Sequence, residues 1–177
     1  MPRKKTKPAA NHAKSIASSW VRERPDLDPL DYLLHIYLIR IGRIVERDGE
    51  LKWRRMFGLS ANETRILLAL RRAGGAYARR PTDLFQALLV TSGAITKNVD
   101  RLAAAGFVKR RADPSDKGGF LVHLTARGKQ VADKIMSEIA CSSLLSAPQI
   151  SLSRAERTTM TRLAERILLD FEAAPSR

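Results

Sequence analysis

Apolar residues recur at helical spacing along most of this chain and alternate with polar ones in one short region. From Leu30 to about Phe57 the pattern predicts one long helix whose apolar positions extend almost all round it. Such a helix is buried on most sides, either in the core of its own domain or against a second chain. Asp48-Gly49 is the expected position of a kink or break.

The middle of the chain predicts short helices followed by a hairpin. Leu59-Ser60-x-x-Glu63 has the form of a capping box and opens a helix that stops at Gly74-Gly75. Two more helices are predicted at Thr82–Leu89 and Ser92–Ala105, and their connection has the length of a helix-turn-helix. Gly106 is expected to end the second of these helices as its C′ residue.

Two strand-like segments follow, Phe107–Ala112 and Phe120–Leu124, with turn residues between them. Phe120, Val122 and Leu124 alternate with Leu121 and His123, which predicts that one face is buried. The fold class expected is therefore mainly α with a small β-hairpin wing, a winged helix-turn-helix domain with additional helices at both ends.

The flanking segments complete the expected organisation. A helix is predicted from about Asn11 to Glu23, Thr125 caps another helix, Pro148 interrupts the pattern, and Leu152-Ser153-x-x-Glu156 opens a last helix. The domains expected are a flexible basic arm at 1–10, N-terminal helices at 11–57, the winged helix-turn-helix at 58–124 and C-terminal helices at 125–177. Because the flanking helices carry more apolar surface than such a core can cover, we expect a homodimer.

Charge points to a polyanionic partner. The chain has 32 basic and 18 acidic residues, a formal net charge of +14, and much of the excess lies in the winged-helix segment. It has no signal peptide and no apolar run of membrane-spanning length, so we expect a cytoplasmic protein with no membrane partner. The absence of a glycine-rich phosphate loop, a metal-spaced His/Cys set and a nucleophile elbow argues against an enzyme, a cofactor or a metal site.

The motifs in this order resemble the MarR family of bacterial transcriptional regulators. The resemblance lies in the capping box at Leu59, Pro81-Thr82-Asp83-Leu84, Ser92-Gly93-Ala94-x-Thr96, Val99-Asp100-Arg101-Leu102, Gly106-Phe107-Val108-x-Arg110, Asp113-Pro114-x-Asp116 and Leu124-Thr125-x-x-Gly128. It implies a homodimer in which each protomer places a recognition helix, here Ser92–Ala105, in the major groove and a wing at the minor groove. Repression is the family's usual mode of action.

On this mapping, polar side chains of the recognition helix and the wing are the expected contacts with double-stranded DNA. Lys97 and Asn98 are the best candidates for reading bases, since lysine suits guanine and asparagine suits adenine. Arg101 is expected to hold phosphate or to connect the recognition helix to the wing, and a solvated polar face is the alternative interpretation. The full set expected is Arg80, Thr91, Ser92, Thr96, Lys97, Asn98, Arg101, Arg110, Arg111 and Lys117.

The wing departs from the family pattern. Most members have two arginines after Asp-Pro-x-Asp, and the second is the minor-groove finger and the partner of the aspartate; here Lys117 and Gly118 stand in those places. Asp116 therefore lacks its usual arginine. Because the compact ammonium of lysine is strongly hydrated, we expect the wing to supply phosphate contacts and little sequence reading.

Most family members release DNA when a small aromatic or phenolic anion binds between the dimerisation helices and the winged-helix lobe. The N-terminal helix with Trp20 resembles a branch that includes urate-responsive members, but Arg65 and Asn98 stand where those carry an aspartate and an arginine, so urate is not expected. The lining hypothesised for an aromatic acid is Trp20, His35, Trp53, Arg65 and Arg110. The alternatives are that the tryptophans are core or dimer anchors and that His35 is a core histidine.

The function expected is thus a sequence-specific regulator, a dimeric repressor released from a pseudo-palindromic operator by such an anion. One rival is a non-regulatory architectural or RNA-binding winged-helix protein. Another is a redox-sensing regulator acting through Cys141, the single cysteine. Cys141 does not match the N-terminal sensing position of the family's peroxide sensors, and a buried free cysteine is usually inert.

Overall fold

A computed structural model of the protein describes residues 12–142 and 152–173. The expected basic arm at 1–10, the predicted helix start at Asn11 and the interruption at Pro148 lie outside the described residues. The chain divides into two compact units, Met1–Glu63 and Thr64–Arg177. Each unit is described by itself below.

The first unit contains two helices, α1 (His12–Glu23) and α2 (Pro29–Phe57), and α1 packs on α2. Asp28 caps α2, because its carboxylate accepts a hydrogen bond of 2.9 Å from the backbone N–H of Leu30. Helix α2 runs without interruption through Asp48-Gly49, so of the kink or break expected there the break is wrong. A Cβ atom at Gly49 would lie 3.3 Å from Nε1 of Trp53, and the glycine therefore makes room for the indole one turn later.

Most of α2 is not buried within a single chain. Trp53 is its buried residue, whereas a long series of its apolar side chains is exposed, among them Leu30, Leu34, Leu38, Ile39, Ile41, Ile44, Val45 and Leu51. His35 is exposed too, so its interpretation as a core histidine is wrong, and Trp20 on α1 is 48% exposed. The sequence predicts that this helix is buried either in the core of its own domain or against a second chain, and its exposure excludes the first alternative.

The second unit contains the helix-turn-helix and the wing. Its elements, with α3 beginning just before the boundary, are α3 (Ala61–Arg72), β1 (Ala78–Arg79), α4 (Pro81–Leu88), α5 (Ser92–Ala104), β2 (Val108–Ala112), β3 (Phe120–Leu124), α6 (Ala126–Ser142) and α7 (Arg154–Ala173). The strands form one antiparallel sheet in the order β1-β3-β2, in which Arg79 pairs with Val122 and Arg110 pairs with the same residue from the other side. Strand β1 was not predicted from the sequence.

The core of this unit is built from one face of each element. Helix α5 buries Ile95, Val99 and Leu102, which are spaced one and two turns apart. Strand β3 buries Val122 and Leu124, which confirms the predicted alternation. The same core takes Ile66, Leu67, Leu70, Leu84, Phe107, Val108, Ala132 and Ile135.

The end of α5 is held in a defined geometry. Gly106 has a φ of +74°, and the N–H groups of Gly106 and Phe107 donate to the carbonyls of Ala103 and Leu102 at 2.9 Å each. These two bonds are the Schellman pattern, which confirms Gly106 as the C′ residue.

Helix α6 begins against this helix end. The hydroxyl of Thr125 donates to the carbonyls of Gly106 at 2.8 Å and Phe107 at 3.1 Å, and Nη1 of Arg127 donates to the carbonyl of Ala105 at 3.1 Å. A Cβ atom on Gly128 would overlap the carbonyl oxygen of Phe107, so only glycine allows this approach. The start of α6 is therefore locked to the end of α5.

Helix α7 begins with a capping box and is open to solvent along its length. The predicted capping box opens α7, because the N–H of Ser153 donates to Glu156 at 2.8 Å and the N–H of Glu156 to the Ser153 hydroxyl at 3.2 Å. None of the residues of α7 is buried.

Cys141, expected to be a buried thiol, is exposed near the end of α6. Among the residues that the structure describes, each helix is too short or too polar to span a bilayer.

Candidate nucleic-acid interface

Helix α5 presents a polar face opposite its buried one. Thr91 caps the helix, since its hydroxyl accepts a hydrogen bond of 3.3 Å from the N–H of Ala94. While Ile95, Val99 and Leu102 anchor one side in the core, Thr96, Lys97 and Arg101 are exposed on the other, and Ser92 is exposed in the first turn. This division lets the helix be held rigidly while its outer side chains remain accessible to a duplex.

Asn98 does not share that arrangement. Its side chain is half-buried, and its Nδ2 donates a hydrogen bond of 2.7 Å to the carbonyl of Ala94, one turn earlier in the same helix. Reading an adenine requires the amide to present a donor and an acceptor together. In this conformation one of the two amide N–H groups is bound to the backbone and the side chain is half-buried, so Asn98 is a weaker candidate for base reading than the sequence indicates.

Strand β2 separates its basic residues onto two faces. Arg110 lies on the same face as its pairing partner Val122, and its guanidinium stands 4.8 Å from the ring centroid of Phe120. The same side chain makes a hydrogen-bonded ion pair with Asp100 of α5. Arg110 therefore connects the recognition helix to the wing.

The other basic side chains of the hairpin point away from that contact. Lys109 and Arg111 are exposed and alternate with Arg110 along β2, and Lys117 is exposed at the tip of the wing. Lys109 was not among the expected contacts, although it shares a face of the strand with Arg111. A charged edge strand also prevents sheet-to-sheet aggregation, which is the structural alternative for these positions.

A buried carboxylate lies at the base of the wing. The Asp113 side chain is only 3% exposed, accepts a hydrogen bond from the Ser115 hydroxyl at 2.7 Å and another from the Ser115 N–H at 2.9 Å. Nε of Arg80 donates to the second oxygen at 2.6 Å. The Ser115 hydroxyl and N–H, together with Arg80, hold the pKa of Asp113 at about 2, below its ordinary value of 3.8. Arg80, expected to contact DNA, is thus engaged within the protein.

The residues hypothesised to bind an aromatic acid belong to different units. Trp20 and His35 are exposed and Trp53 is buried in the first unit, where the Trp53 ring contacts Phe57 at 6.2 Å. Arg65 is half-buried on α3, and Arg110 is already paired with Asp100. Their assembly into one site remains a hypothesis.

One groove of the described residues has the size of a small-molecule site. It has a volume of about 460 Å³ and lies between α3, β1 and α4. None of the five residues hypothesised to bind an effector lines it. Its lining residues are Ala69, Arg72, Arg79, Asp83, Leu84, Gln86 and Ala87.

Three helices, a three-stranded sheet and a basic face on the second helix of a helix-turn-helix together define a winged-helix DNA-binding protein. Comparison with known proteins agrees. Residues 57–117 match the model of the MarR family. The chain is 32% identical over 123 residues to the HTH-type transcriptional regulator PecS of Dickeya dadantii (strain 3937), covering 70% of this chain and 74% of that protein.

Solved structures give the same answer. The crystal structure of a MarR mutant from E. coli complexed with operator DNA superimposes with a TM-score of 0.63 and 25% identity, over 82% of this chain and 97% of that one. An organohalide-sensing transcriptional regulator in its 2,4-dichlorophenol-bound form shares the fold, with a TM-score of 0.63 and 16% identity, over 94% of this chain and 88% of that one. The chain belongs to the MarR family, and it is a DNA-binding transcription regulator.

Proposed function

We propose that this regulator is a dimeric repressor that binds a pseudo-palindromic operator and is released from it by a small aromatic or phenolic anion. The observation that carries the DNA-reading part is the division of α5, whose Ile95, Val99 and Leu102 are buried while Thr96, Lys97 and Arg101 are exposed. A MarR mutant from E. coli was crystallised with operator DNA, which supports operator binding by this chain.

Within that helix, Lys97 is the proposed base-reading residue. It lies in the second turn of α5, in the N-terminal half of the helix, and the N-terminal part of a recognition helix is the part that meets base edges. Its ammonium suits guanine O6 and N7. Phosphate contacts are assigned to the remaining exposed polar residues, which are Thr91, Ser92, Thr96, Arg101, Lys109, Arg111 and Lys117. Asn98 and Arg110 are assigned supporting positions, because Asn98 is half-buried with its amide bound to Ala94 and Arg110 is paired with Asp100 between the recognition helix and the wing.

The dimer is supported by apolar surface that one chain leaves exposed. On α2, Leu30 is 84% exposed, and on α7, Phe171 is 75% exposed; each belongs to a series of exposed apolar side chains on its own helix. Monomeric proteins rarely keep contiguous apolar surface of this extent in water. A second copy with the same surface covers it, and a two-fold dimer places its recognition helices in successive turns of the major groove.

Release by an aromatic anion is supported by the relative of the same fold that was crystallised with 2,4-dichlorophenol. In this chain, Trp20, His35, Trp53, Arg65 and Arg110 are the aromatic and cationic side chains proposed to receive such a ligand. The ligand acts if it prefers a dimer whose recognition helices no longer match the spacing of the grooves.

The test begins with selection of bound duplexes from a random pool by the full chain. We expect a pseudo-palindrome with half-sites about one helical turn, roughly 10 base pairs, apart and an affinity that falls steeply with salt. Lys97→Ala is expected to lose discrimination at one position of each half-site. The control is Lys134→Ala, which removes an exposed lysine from α6 and is expected to leave discrimination unchanged. Equal affinity for unrelated sequences would instead identify an architectural or RNA-binding protein.

The effector is tested with the selected duplex. Band-shift release and tryptophan fluorescence are measured against a panel of phenolic and aromatic carboxylic acids. We expect at least one of these acids to release the duplex and to change the fluorescence at the same concentration. If no acid changes either signal, the effector part of the proposal is wrong for this class of compound.

A further inference from the structure

A single arginine connects the first helix of the helix-turn-helix to the base of the wing. Arg80 stands at the N-cap of α4, where its Nε donates to Oδ2 of Asp113 at 2.6 Å and its Nη2 donates to the hydroxyl of Ser115 at 2.7 Å. These partners lie 33 and 35 residues further along the chain. The two bonds use the Nε and Nη2 donors, which lie along one edge of the planar guanidinium, and this gives the contact a fixed direction as well as a charge.

We propose that Arg80 is a positioning residue that fixes the wing against the helix-turn-helix through Asp113 and Ser115, and so determines where Lys117 meets the DNA backbone. This rests on the proposed function in one respect, namely that the wing contacts phosphates. It differs from the role expected from the sequence, in which Arg80 itself contacts DNA.

The turn of the wing has a shape of its own, and the polar contacts that direct the hairpin against the helices come from outside the turn, from Arg110 on β2 and from Arg80 at the base of the wing. Within the turn, the N–H of Asp113 donates to the carbonyl of Gly119 at 3.0 Å, and the N–H of Gly119 donates to the carbonyl of Asp116 at 3.0 Å. These bonds close the turn without relating it to α4 or α5. Lys117 and Gly118 follow Asp116, so neither of the next two positions offers Asp116 an arginine within the wing. Arg80 supplies a tie from outside the wing.

The buried carboxylate makes this tie specific for arginine. Asp113 is charged at neutral pH, because its pKa is held at about 2 by the Ser115 hydroxyl and N–H and by Arg80. A buried carboxylate that loses its cationic partner keeps the desolvation cost without the compensating attraction. Lysine at position 80 retains the positive charge but has a single nitrogen, which cannot reach Asp113 and Ser115 with the geometry of the fork.

The experiment measures how much Lys117 contributes to DNA affinity in two backgrounds. In the wild type, Lys117→Ala is expected to weaken binding roughly fivefold, the loss of one phosphate contact. In the Arg80→Lys background the same change is expected to weaken binding less than about twofold, since a misdirected wing no longer brings the lysine to the backbone. A simple phosphate contact at position 80 would leave the fivefold effect of Lys117→Ala intact and would overturn the proposal.

The matched control is Arg79→Lys, the same substitution one residue earlier. Arg79 is exposed on β1, and we expect the fivefold effect of Lys117→Ala to persist in that background. Each measurement is made on the selected duplex and on a random-sequence duplex. Failure to select a specific sequence refutes the proposed operator, while the coupling between positions 80 and 117 is still decided on the random duplex, because phosphate contacts do not depend on sequence.

Asp113→Asn is a second test, because a pure charge effect and a positioning role for Arg80 predict opposite changes in DNA affinity. If charge alone matters, removing an acidic group from a DNA-binding surface raises affinity. If Asp113 anchors Arg80, the same change lowers affinity, abolishes the contribution of Lys117, and adds little to Arg80→Lys in the double variant. Amide hydrogen exchange at Ser115 and Gly119 is expected to accelerate in both single variants. Unchanged exchange there, or a rise in DNA affinity for Asp113→Asn, would refute the positioning role.

Discussion

The winged-helix segment, residues 61–124, and the long helices α2 and α7 use apolar residues in opposite ways. In the winged-helix segment Leu70 and Leu102 are completely buried, whereas Leu30 of α2 is 84% exposed and Phe171 of α7 is 75% exposed. Both regions show apolar residues at helical spacing in the sequence. The difference shows that spacing identifies an apolar face, while the rest of the chain decides whether that face is covered. The winged-helix segment buries its apolar face together with Ala132 and Ile135 of α6, and the long helices leave theirs exposed, which is the surface that we propose a second copy covers.

The largest effect that tests this comparison is expected from the core of the winged-helix segment. Leu102→Ala removes a buried side chain from α5 and is expected to lower the free energy of unfolding by about 2–5 kcal/mol, measured by urea denaturation. Leu27→Ala, in the exposed turn before α2, is the control and is expected to cost less than about 0.5 kcal/mol. A cost below about 1 kcal/mol for Leu102→Ala would show that the segment is loosely packed.

Substitutions on α7 are expected to affect dimer formation more than the folding of the single chain. Met160 and Phe171 lie on one face of this helix, three turns apart, and are 46% and 75% exposed. The double variant Met160→Ser/Phe171→Ser is expected to weaken dimerisation at least about a hundredfold in sedimentation equilibrium, because each chain loses two apolar contacts. Wild-type protein that sediments as a monomer, or an unchanged dimer constant in the variant, would contradict the proposed interface.

The smallest effect is expected at an exposed leucine inside the winged-helix segment. Leu89 follows α4 as its C-cap residue, with a φ of +52°, and is 93% exposed. The left-handed backbone is costly for leucine and well tolerated by asparagine, so Leu89→Asn is expected to stabilise the fold by roughly 0.5–1 kcal/mol. The same variant is the control for α7, since its dimer constant is expected to stay unchanged. A loss of stability in thermal denaturation would show that Leu89 makes a contact worth more than its backbone strain.

Local signals in the sequence predict the helix ends well. The capping boxes at Ser60 and Ser153 and the C′ residue Gly106 each act over a few neighbouring positions, and the structure has helix boundaries at all three. The fold class follows from these boundaries, from the alternation in β3 and from the order of the motifs. Strand β1 is different, since it is two residues long and exists only through its pairing with His123 and Val122.

The site is less predictable because its side chains are directed by partners far away in sequence. Lys97 and Thr96 were expected on the exposed face of α5 and lie there. The engagement of Arg80 by Asp113, and of Arg110 by Asp100, depends on how the hairpin folds back onto the helices. Asn98 shows the same limit at short range, because composition does not reveal that its amide turns back to the carbonyl of Ala94. Residue type identifies groups capable of contacting DNA, and tertiary packing selects those that remain accessible.

The joint between the recognition helix and α6 has a practical consequence for engineering. Carbonyls at Ala105, Gly106 and Phe107 are each bound by Thr125 or Arg127, and Gly128 admits no side chain. An exchange of the outward residues of α5 alone therefore leaves this joint intact. A graft that exchanges the end of α5 must carry residues 105–128 with it as one cassette, because half of the joint from each parent would leave hydrogen-bond donors and acceptors mismatched at the seam.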